Sequence, residues 1–317
     1  MHKTIFCLMG PTASGKTALA CELLKSFPFE IISVDSAMIY REMNIGTAKP
    51  SPEELLQAPH HLIDILDPPE SYSAAQFCDD ALKLTDAIYS RGKVPLLVGG
   101  TMMYFHALQQ GLSPLPQADE ALRADLLLQA EQLGWVYLHQ QLAAIDAPSA
   151  VRIHPNDTQR IQRALEVYYL TGKPLSFFLS AEKDKANYRF INLILFPEQR
   201  VWLHERIALR FDQMLEQGFI NEVEHLLQKW PLTATCPALR CVGYRQVSEY
   251  LAGTYDYESL RQKGVAATRQ LAKRQLTWLR RWPEASMFAS ENPAIRGEIM
   301  AIIGEILDNS AQNHSDS

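Results

Sequence analysis

The stretch Gly10-Pro-Thr-Ala-Ser-Gly15-Lys16-Thr17 limits what this chain can fold into more than any other. It fits GxxxxGK[ST] and lies between a short apolar run, Lys3 to Met9, and a helically periodic segment, Lys16 to Lys25, which Pro28 helps to end. An unbroken apolar run suits a parallel strand covered on both faces. A glycine-bounded loop that opens a helix is a phosphate cradle: its backbone amides turn inward and the helix adds its positive end. Gly10, Pro11, Thr12, Ala13, Ser14, Gly15, Lys16 and Thr17 are therefore expected to hold a polyphosphate, with Lys16 on terminal oxygens and the Thr17 hydroxyl helping to hold a magnesium ion, Mg2+. The loop does not distinguish phosphoryl transfer, nucleotide hydrolysis and expulsion of diphosphate.

Strand-like runs recur at Glu30 to Val34, His61 to Ile65 and Val94 to Val98. Between the last two, SAAQFCDDALKLTDAIYSRG reads as a helix capped by Ser73 and closed by Gly92. Strands alternating with helices indicate an α/β fold, a P-loop NTPase-like parallel sheet flanked by helices, with ligands at the carboxyl ends of the strands. The pattern changes near LSPLPQADEALR, so residues 1–118 are expected to form the first part of the core and 119–187 an inserted helical domain. Its helices are expected at Asp119 to Gly134, Trp135 to Ile145 and Asn156 to Leu170. YRFINLILF, Tyr188 to Phe196, reads as a return strand that opens a last region, 188–317. That region carries helices at Val201 to Gln217, Ile220 to Gln228, Val242 to Leu251 and Tyr257 to Arg281. Nothing is assigned between Trp282 and Asp308, and the polar tail beyond is expected to fray.

At 317 residues the chain exceeds the usual single-domain size, in keeping with a core plus a second module. Hydrophobic residues make up 47% and charged residues 21%, which excludes a disordered chain. The five cysteines are scattered, with no CxxC pair, and read as reduced thiols of a cytoplasmic protein. The first apolar run ends at Gly10, too short to span a bilayer, and no cleavage site follows it, so neither secretion nor membrane attachment is expected. The net charge of −6 argues against nucleic acid until its distribution is considered. From Arg240 to Trp282 nine basic residues face three acidic ones, a local +6 that leaves −12 elsewhere. Such an asymmetry can confine a polyanion to one face; the competing reading is a solvated helical surface.

Two further stretches carry candidate chemistry. Asp35, in IISVDSAMIY, directly follows a strand, so its carboxylate should enter the crevice beside the phosphate loop. There it can hold magnesium through water, accept a proton from a nucleophile or from an attacking amine, or merely cap a helix. In VPLLVGGTMMYFHAL a strand ends in Gly99, Gly100 and Thr101. The paired glycines permit close approach of backbone to a ligand, and Thr101 offers a hydroxyl. Met102, Met103 and Phe105 either line an apolar pocket or belong to the core of the helix that follows. No NKxD, HRD/DFG or hhhhD signature is present, which weakens an ordinary ATPase. The residues leave a small-molecule kinase using ATP, a transferase that expels diphosphate, and a non-enzymatic nucleotide switch.

GPTASGKT, ISVDSAMIY, NIGTAKP, LLVGGTMMY, RIHPNDTQRIQRALEVYYLTGKP, RCVGYRQ and ATRQLAKRQLTWLR together resemble the tRNA dimethylallyltransferase family in its bacterial form, in order and from Gly10 to Arg281. The resemblance implies transfer of the dimethylallyl group of dimethylallyl diphosphate to the exocyclic amine of the adenosine immediately 3′ of the anticodon, in tRNAs reading codons that begin with U. It implies a cytoplasmic enzyme, a monomer without an obligate protein partner, that engages the anticodon stem-loop. It makes Asp35 the base and Thr101 its orienting neighbour, with Lys16 and Arg210 on the diphosphate and Arg206 in reserve. It brings Asp35, Ser36, Ala37, Met38, Thr101, Arg123, Gln159, Arg160, Ile161, Gln162, Arg163, Arg240, Cys241, Val242, Gly243, Tyr244 and Arg245 toward the tRNA. Arg269, Lys273 and Arg280 fall within about 40° of one another at 100° per residue, beside an apolar stripe of Val265, Ala272, Leu276 and Leu279, and suit RNA phosphates. Many relatives have glutamine at the position of Met38 and glycine at that of Met102. Methionine offers no strong hydrogen bond to a base, so backbone groups must supply readout near Met38, and Met102 is expected to narrow the isoprenoid channel.

Overall fold

The computed structural model describes residues 3–181 and 186–315, the side chains of 310–315 excepted. Six strands, β1 (Thr4–Met9), β2 (Phe29–Val34), β3 (His60–His61), β4 (Val94–Gly99), β5 (Arg189–Leu195) and β6 (Ala285–Phe288), form one parallel sheet in the order β3-β2-β4-β1-β5-β6. This is the P-loop NTPase-like arrangement. Phe6, Leu8, Ile31, Leu96, Val98, Leu193 and Leu195 pack on one face with Leu19, Ala20 and Leu23 of α1 (Lys16–Leu24). Alternate residues such as Ile5, Cys7, Ile32 and Leu97 are equally buried, which is why these strands read as unbroken apolar runs.

Between β2 and β4 the chain forms α2 (Pro52–Gln57) and α3 (Ala74–Ser90), and α3 packs against both of those strands. Ser73 caps α3 in a capping box with Gln76, as its sequence suggests, whereas α2, capped by Ser51 and Glu54, has no sequence expectation behind it. The strand expected over 61–65 is a correction. Pairing stops at His61, because Leu62 and Asp64 take left-handed backbone angles of 62° and 55°. Leu62 and Ile65 owe their apolar character to packing beneath a loop, where the Ile65 amide donates to the Ile39 carbonyl.

After α4 (Met102–Gln110) a separate compact unit covers residues 108–186. Its helices are α5 (Glu120–Leu133), α6 (Trp135–Ile145), α7 (Ala147–Arg152), α8 (Thr158–Thr171) and α9 (Leu175–Ser180). Leu126, Leu138, Leu142, Ile161, Ala164 and Leu165 form its core. The helices α7 and α9 have no counterpart in the sequence reading.

The first unit resumes at β5. It continues through α10 (Arg200–Glu216), α11 (Phe219–Lys229), α12 (Pro237–Arg240), α13 (Tyr244–Leu251) and α14 (Tyr257–Leu279). A second core joins Phe211, Phe219, Val223, Tyr244, Val265 and Ala272 of these helices to Tyr40 and Met43 from the segment after β2. The helix expected to begin at Val242 begins at Tyr244, because Gly243 has a backbone angle of 93° that no helix continues through. β6 and α15 (Ile295–Ser315) occupy the stretch without a sequence assignment, and Ile299 and Ile303 of α15 are fully buried against the sheet. The backbone beyond Asp308 stays helical to Ser315, contrary to the frayed tail expected there, and the last two residues lie outside those described.

Candidate active site

Sheet register explains why residues far apart in sequence share one site. Met9 of β1 and Val34 of β2 both pair with Gly99 of β4, so three neighbouring strands end on the same row. The next steps of each chain are the phosphate loop, Asp35 and Gly100-Thr101, all delivered to one crevice. That crevice is a cavity of about 750 Å3, lined among others by Thr12, Ala13, Lys16, Thr17, Asp35, Ser36, Met38, Thr101, Met102, Arg210, Arg240 and Cys241.

The loop has the conformation of an anion nest. Ala13 and Gly15 take left-handed angles of 63° and 92°, and no side chain caps the start of α1. Its first amides are thereby left for a ligand. The Ser14 hydroxyl is buried with no hydrogen-bond partner among the described residues, which fits a loop built to close around oxygens. Lys16 folds back onto the Pro11 carbonyl at 3.2 Å. Burial, then the Arg210 guanidinium, lower its pKa to about 8, while Asp35 pulls the other way. Burial likewise lowers Arg210, against the opposing pull of Asp35. Arg210 donates to the Thr47 carbonyl at 3.2 Å, which aims it from α10 into the cavity. Arg206 is instead committed to the loop itself: its Nε donates to the Ala13 carbonyl at 2.8 Å and its guanidinium lies 4.8 Å from the centre of the Trp202 ring.

Asp35 caps a turn and not a helix, since the next helix begins only at Pro52. Its Oδ1 accepts the Ala37 and Met38 amides at 2.8 and 3.3 Å, so the turn after β2 fixes the carboxylate. Oδ2 has no hydrogen bond among the described residues. Thr101 Oγ1 accepts the Ser36 amide at 3.1 Å and faces the Ser36 hydroxyl at 3.4 Å, tying the end of β4 to the Asp35 turn. Burial, followed by the nearby Asp35 charge, pushes the Cys241 thiol up to about 12, which disfavours its nucleophilic thiolate form.

The paired glycines line the cavity, as expected of residues that approach a ligand, and they also make room for protein groups. A Cβ on Gly99 would lie 2.0 Å from the Val34 carbonyl oxygen, and one on Gly100 would lie 2.5 Å from Gln275 Nε2. They let neighbouring protein groups close on the site. Met102 is buried and also lines the cavity, Met103 is exposed at its rim, and Phe105 is core.

Of the residues expected near RNA, Arg240 and Arg245 are exposed on the first unit, as are Arg269, Lys273 and Arg280 on one side of α14. Val265, Ala272 and Leu279 of that helix are buried as its stripe predicts. Tyr244 turns inward: it is fully buried and donates to Glu222 at 2.6 Å. Within the helical unit Gln159 and Arg160 are exposed, whereas Ile161 is core and Gln162 donates to the Arg123 carbonyl at 3.0 Å. Arg123 and Arg163 both grip the buried Glu166, at 2.8 and 2.6 Å. The single carboxylate of Glu166 offsets one of these two charges, so the trio keeps a net positive charge.

Two residues that organise the site are absent from the sequence reading. Glu222 of α11 accepts the Asn44, Ile45 and Gly46 amides at 2.9, 2.7 and 3.1 Å, holding the loop that carries Thr47. Gln275 of α14 joins the phosphate loop to the end of β4. Both stand three residues from a buried apolar neighbour on the same helix face, Phe219 and Ala272. A polar residue on an apolar stripe is the signal that could have found them.

For magnesium, no cluster of three acidic, histidine or cysteine ligands exists among the described residues. Thr17 and Asp35 both line the cavity and carry oxygen donors of the kind magnesium takes.

Comparison with known proteins follows this geometry. The IPP transferase family model matches residues 38–282, and an isopentenyl transferase model matches 3–67. A tRNA dimethylallyltransferase of Legionella pneumophila, strain Corby, is 66% identical over 313 residues, covering 99% of this chain and all of the relative. The crystal structure of the full-length tRNA isopentenylpyrophosphate transferase from Bacillus halodurans superposes with a TM-score of 0.72 at 36% identity, covering 99% of this chain and 100% of that one. A eukaryotic dimethylallyltransferase acting on tRNA gives a TM-score of 0.81 at 26% identity, over 97% of this chain and 80% of that one. None of these matches is to a small-molecule kinase.

Proposed function

The chain belongs to the tRNA dimethylallyltransferase family, whose enzymes prenylate tRNA, and we propose that it transfers the dimethylallyl group of dimethylallyl diphosphate to the exocyclic amine of the adenosine immediately 3′ of the anticodon. The tRNAs are those reading codons that begin with U. The observation that carries this reading is the convergence in one cavity of an anion nest with two cations and a carboxylate with one unshared oxygen.

The adenine amine attacks the allylic carbon as the carbon–oxygen bond breaks. A new nitrogen–carbon bond forms, the electron pair leaves with the diphosphate, and the amine proton passes to Asp35. An adenine amine is a poor nucleophile and a very weak acid, so proton transfer accompanies bond formation and does not precede it. Negative charge grows on the bridging oxygen, where Lys16, Arg210 and the loop amides stabilise the transition state more than the ground state. Thr101 holds the Ser36 amide and so keeps the Asp35 turn in place. A magnesium ion held near Thr17 and Asp35 would neutralise further diphosphate charge. The target base leaves the anticodon-loop stack to enter the cavity. The exposed cations of α14, Arg240, Arg245 and, in the helical unit, Arg160 contact the stem-loop backbone. We extend the proposal to a monomer acting in the cytoplasm. Separately, no helix among the described residues is long and apolar enough to cross a membrane.

The test is to incubate purified protein with an anticodon stem-loop RNA and labelled dimethylallyl diphosphate. Label is expected on the adenosine 3′ of the anticodon and lost when that position is guanosine. Transfer of a phosphoryl group from ATP to a small molecule, with no labelled RNA, would establish the kinase instead. The Asp35→Asn variant keeps the Oδ1 acceptor for Ala37 and Met38. It should bind both substrates and lose at least about a hundredfold in turnover.

A further inference from the structure

We infer that Gln275 is a positioning residue for the diphosphate grip, clamping the phosphate loop to the strand end that carries Thr101. This rests on the reading of the loop as the site of the leaving diphosphate. Gln275 is buried at 8% exposure on the inner side of α14. Its Oε1 accepts the Thr12 amide at 2.9 Å and its Nε2 donates to the Gly100 carbonyl at 2.9 Å. A primary amide is the one uncharged side-chain group that offers a donor and an acceptor side by side, as a backbone N–H on one segment and a C=O on another require.

Two consequences follow. The Thr12 amide is turned away from the nest, so the loop is pinned at its start and its ligand-facing amides begin later, around the left-handed turn at Ala13 and Gly15. Arg206 pins the same loop at the Ala13 carbonyl, which leaves the segment between Thr12 and Gly15 little freedom to collapse when no anion is bound. The pairing also accounts for glycine at position 100, where a Cβ would strike Nε2 at 2.5 Å. Two adjacent strand ends are thus held at one spacing by a single side chain from a helix whose opposite side is cationic.

The experiment measures binding of inorganic diphosphate with magnesium, and separately of anticodon stem-loop RNA, to the full-length wild type and to Gln275→Met. Methionine keeps length and volume but can make neither strong hydrogen bond. About tenfold weaker diphosphate binding is expected, with RNA affinity within about twofold of wild type. Unchanged diphosphate affinity would overturn the inference, and so would an equal loss for both ligands in a folded variant, which would mark general loosening of α14. Gly100→Ala reaches the same clamp from the other side, and serves if Gln275→Met does not fold. It should also weaken diphosphate about tenfold, and wild-type affinity there overturns the inference. Failure of the wild type itself to bind diphosphate would defeat the reading of the loop, a result distinct from a wild type that binds and a variant that binds as well.

Discussion

Lys16 is held where its charge is costly to the ligand-free protein. Its ammonium titrates near 8 in the folded chain against an ordinary value of 10.5, chiefly through burial. A lowered lysine pKa disfavours folding while the group is charged in both states, below about 8, and that penalty fades as pH rises toward 10.5. Lys16→Met should therefore stabilise the ligand-free protein at pH 7 by about 1 to 2 kcal/mol in thermal melts while abolishing diphosphate binding. In the wild type, diphosphate affinity should fall as pH rises through about 8 and the Lys16 ammonium loses its proton. Melting unchanged or lowered in Lys16→Met would remove the strain argument. At this scale the sequence was legible where a residue type has one use in one context: a lysine and threonine closing a glycine loop, an aspartate after a strand. It was silent on Gln275 and Glu222, because their partners are backbone groups of segments brought together only by the fold. Arg123 and Arg163 show the reverse case, basic residues that share one buried glutamate to which no local pattern points.

Elements were legible in proportion to the strength of their own pattern. The buried strands β1, β2, β4 and β5 and the capped helix α3 stand almost where their apolar runs and caps place them. β3 was overextended because residues 62–65 are apolar for reasons of tertiary packing, and β6 carries no alternation to read. Short helices such as α7 and α9 hold too few turns for a periodicity to emerge. The edge at β3 is fastened by Glu30, whose carboxyl is lowered to about 2 chiefly by Arg91, against the next largest effect, burial, with His61 and Lys93 adding to the lowering. A depressed glutamate stabilises above its ordinary value of 4.5 and loses that contribution as pH falls through about 2. Glu30→Gln should thus melt lower than wild type at pH 6 by about 1 to 2 kcal/mol, and the gap should narrow markedly at pH 3. A gap independent of pH would mean that shape, not charge, fastens the edge. Glu222→Ala strips an acceptor from the amides of Asn44, Ile45 and Gly46. It should destabilise by about 1 to 3 kcal/mol and, by freeing the Thr47 carbonyl that holds Arg210, raise the KM for dimethylallyl diphosphate.

At the scale of the molecule, charge distribution matters more than its total. A chain of net charge −6 presents Arg269, Lys273 and Arg280 together on one side of a long helix and keeps Lys16 and Arg210 in a cavity. RNA affinity should therefore fall steeply between about 50 and 200 mM salt, a dependence that substituting Arg269 and Lys273 by glutamine makes shallower. The central claim is that the glycine loop, so often a site for nucleotide chemistry, here holds a leaving group. The most direct test counts diphosphate released per adenosine prenylated, in a reaction containing stem-loop RNA, dimethylallyl diphosphate and magnesium but no ATP. One diphosphate per modified adenosine, with no need for ATP, is the predicted result. Prenylation that depends on ATP and yields ADP or orthophosphate in step with product would contradict it.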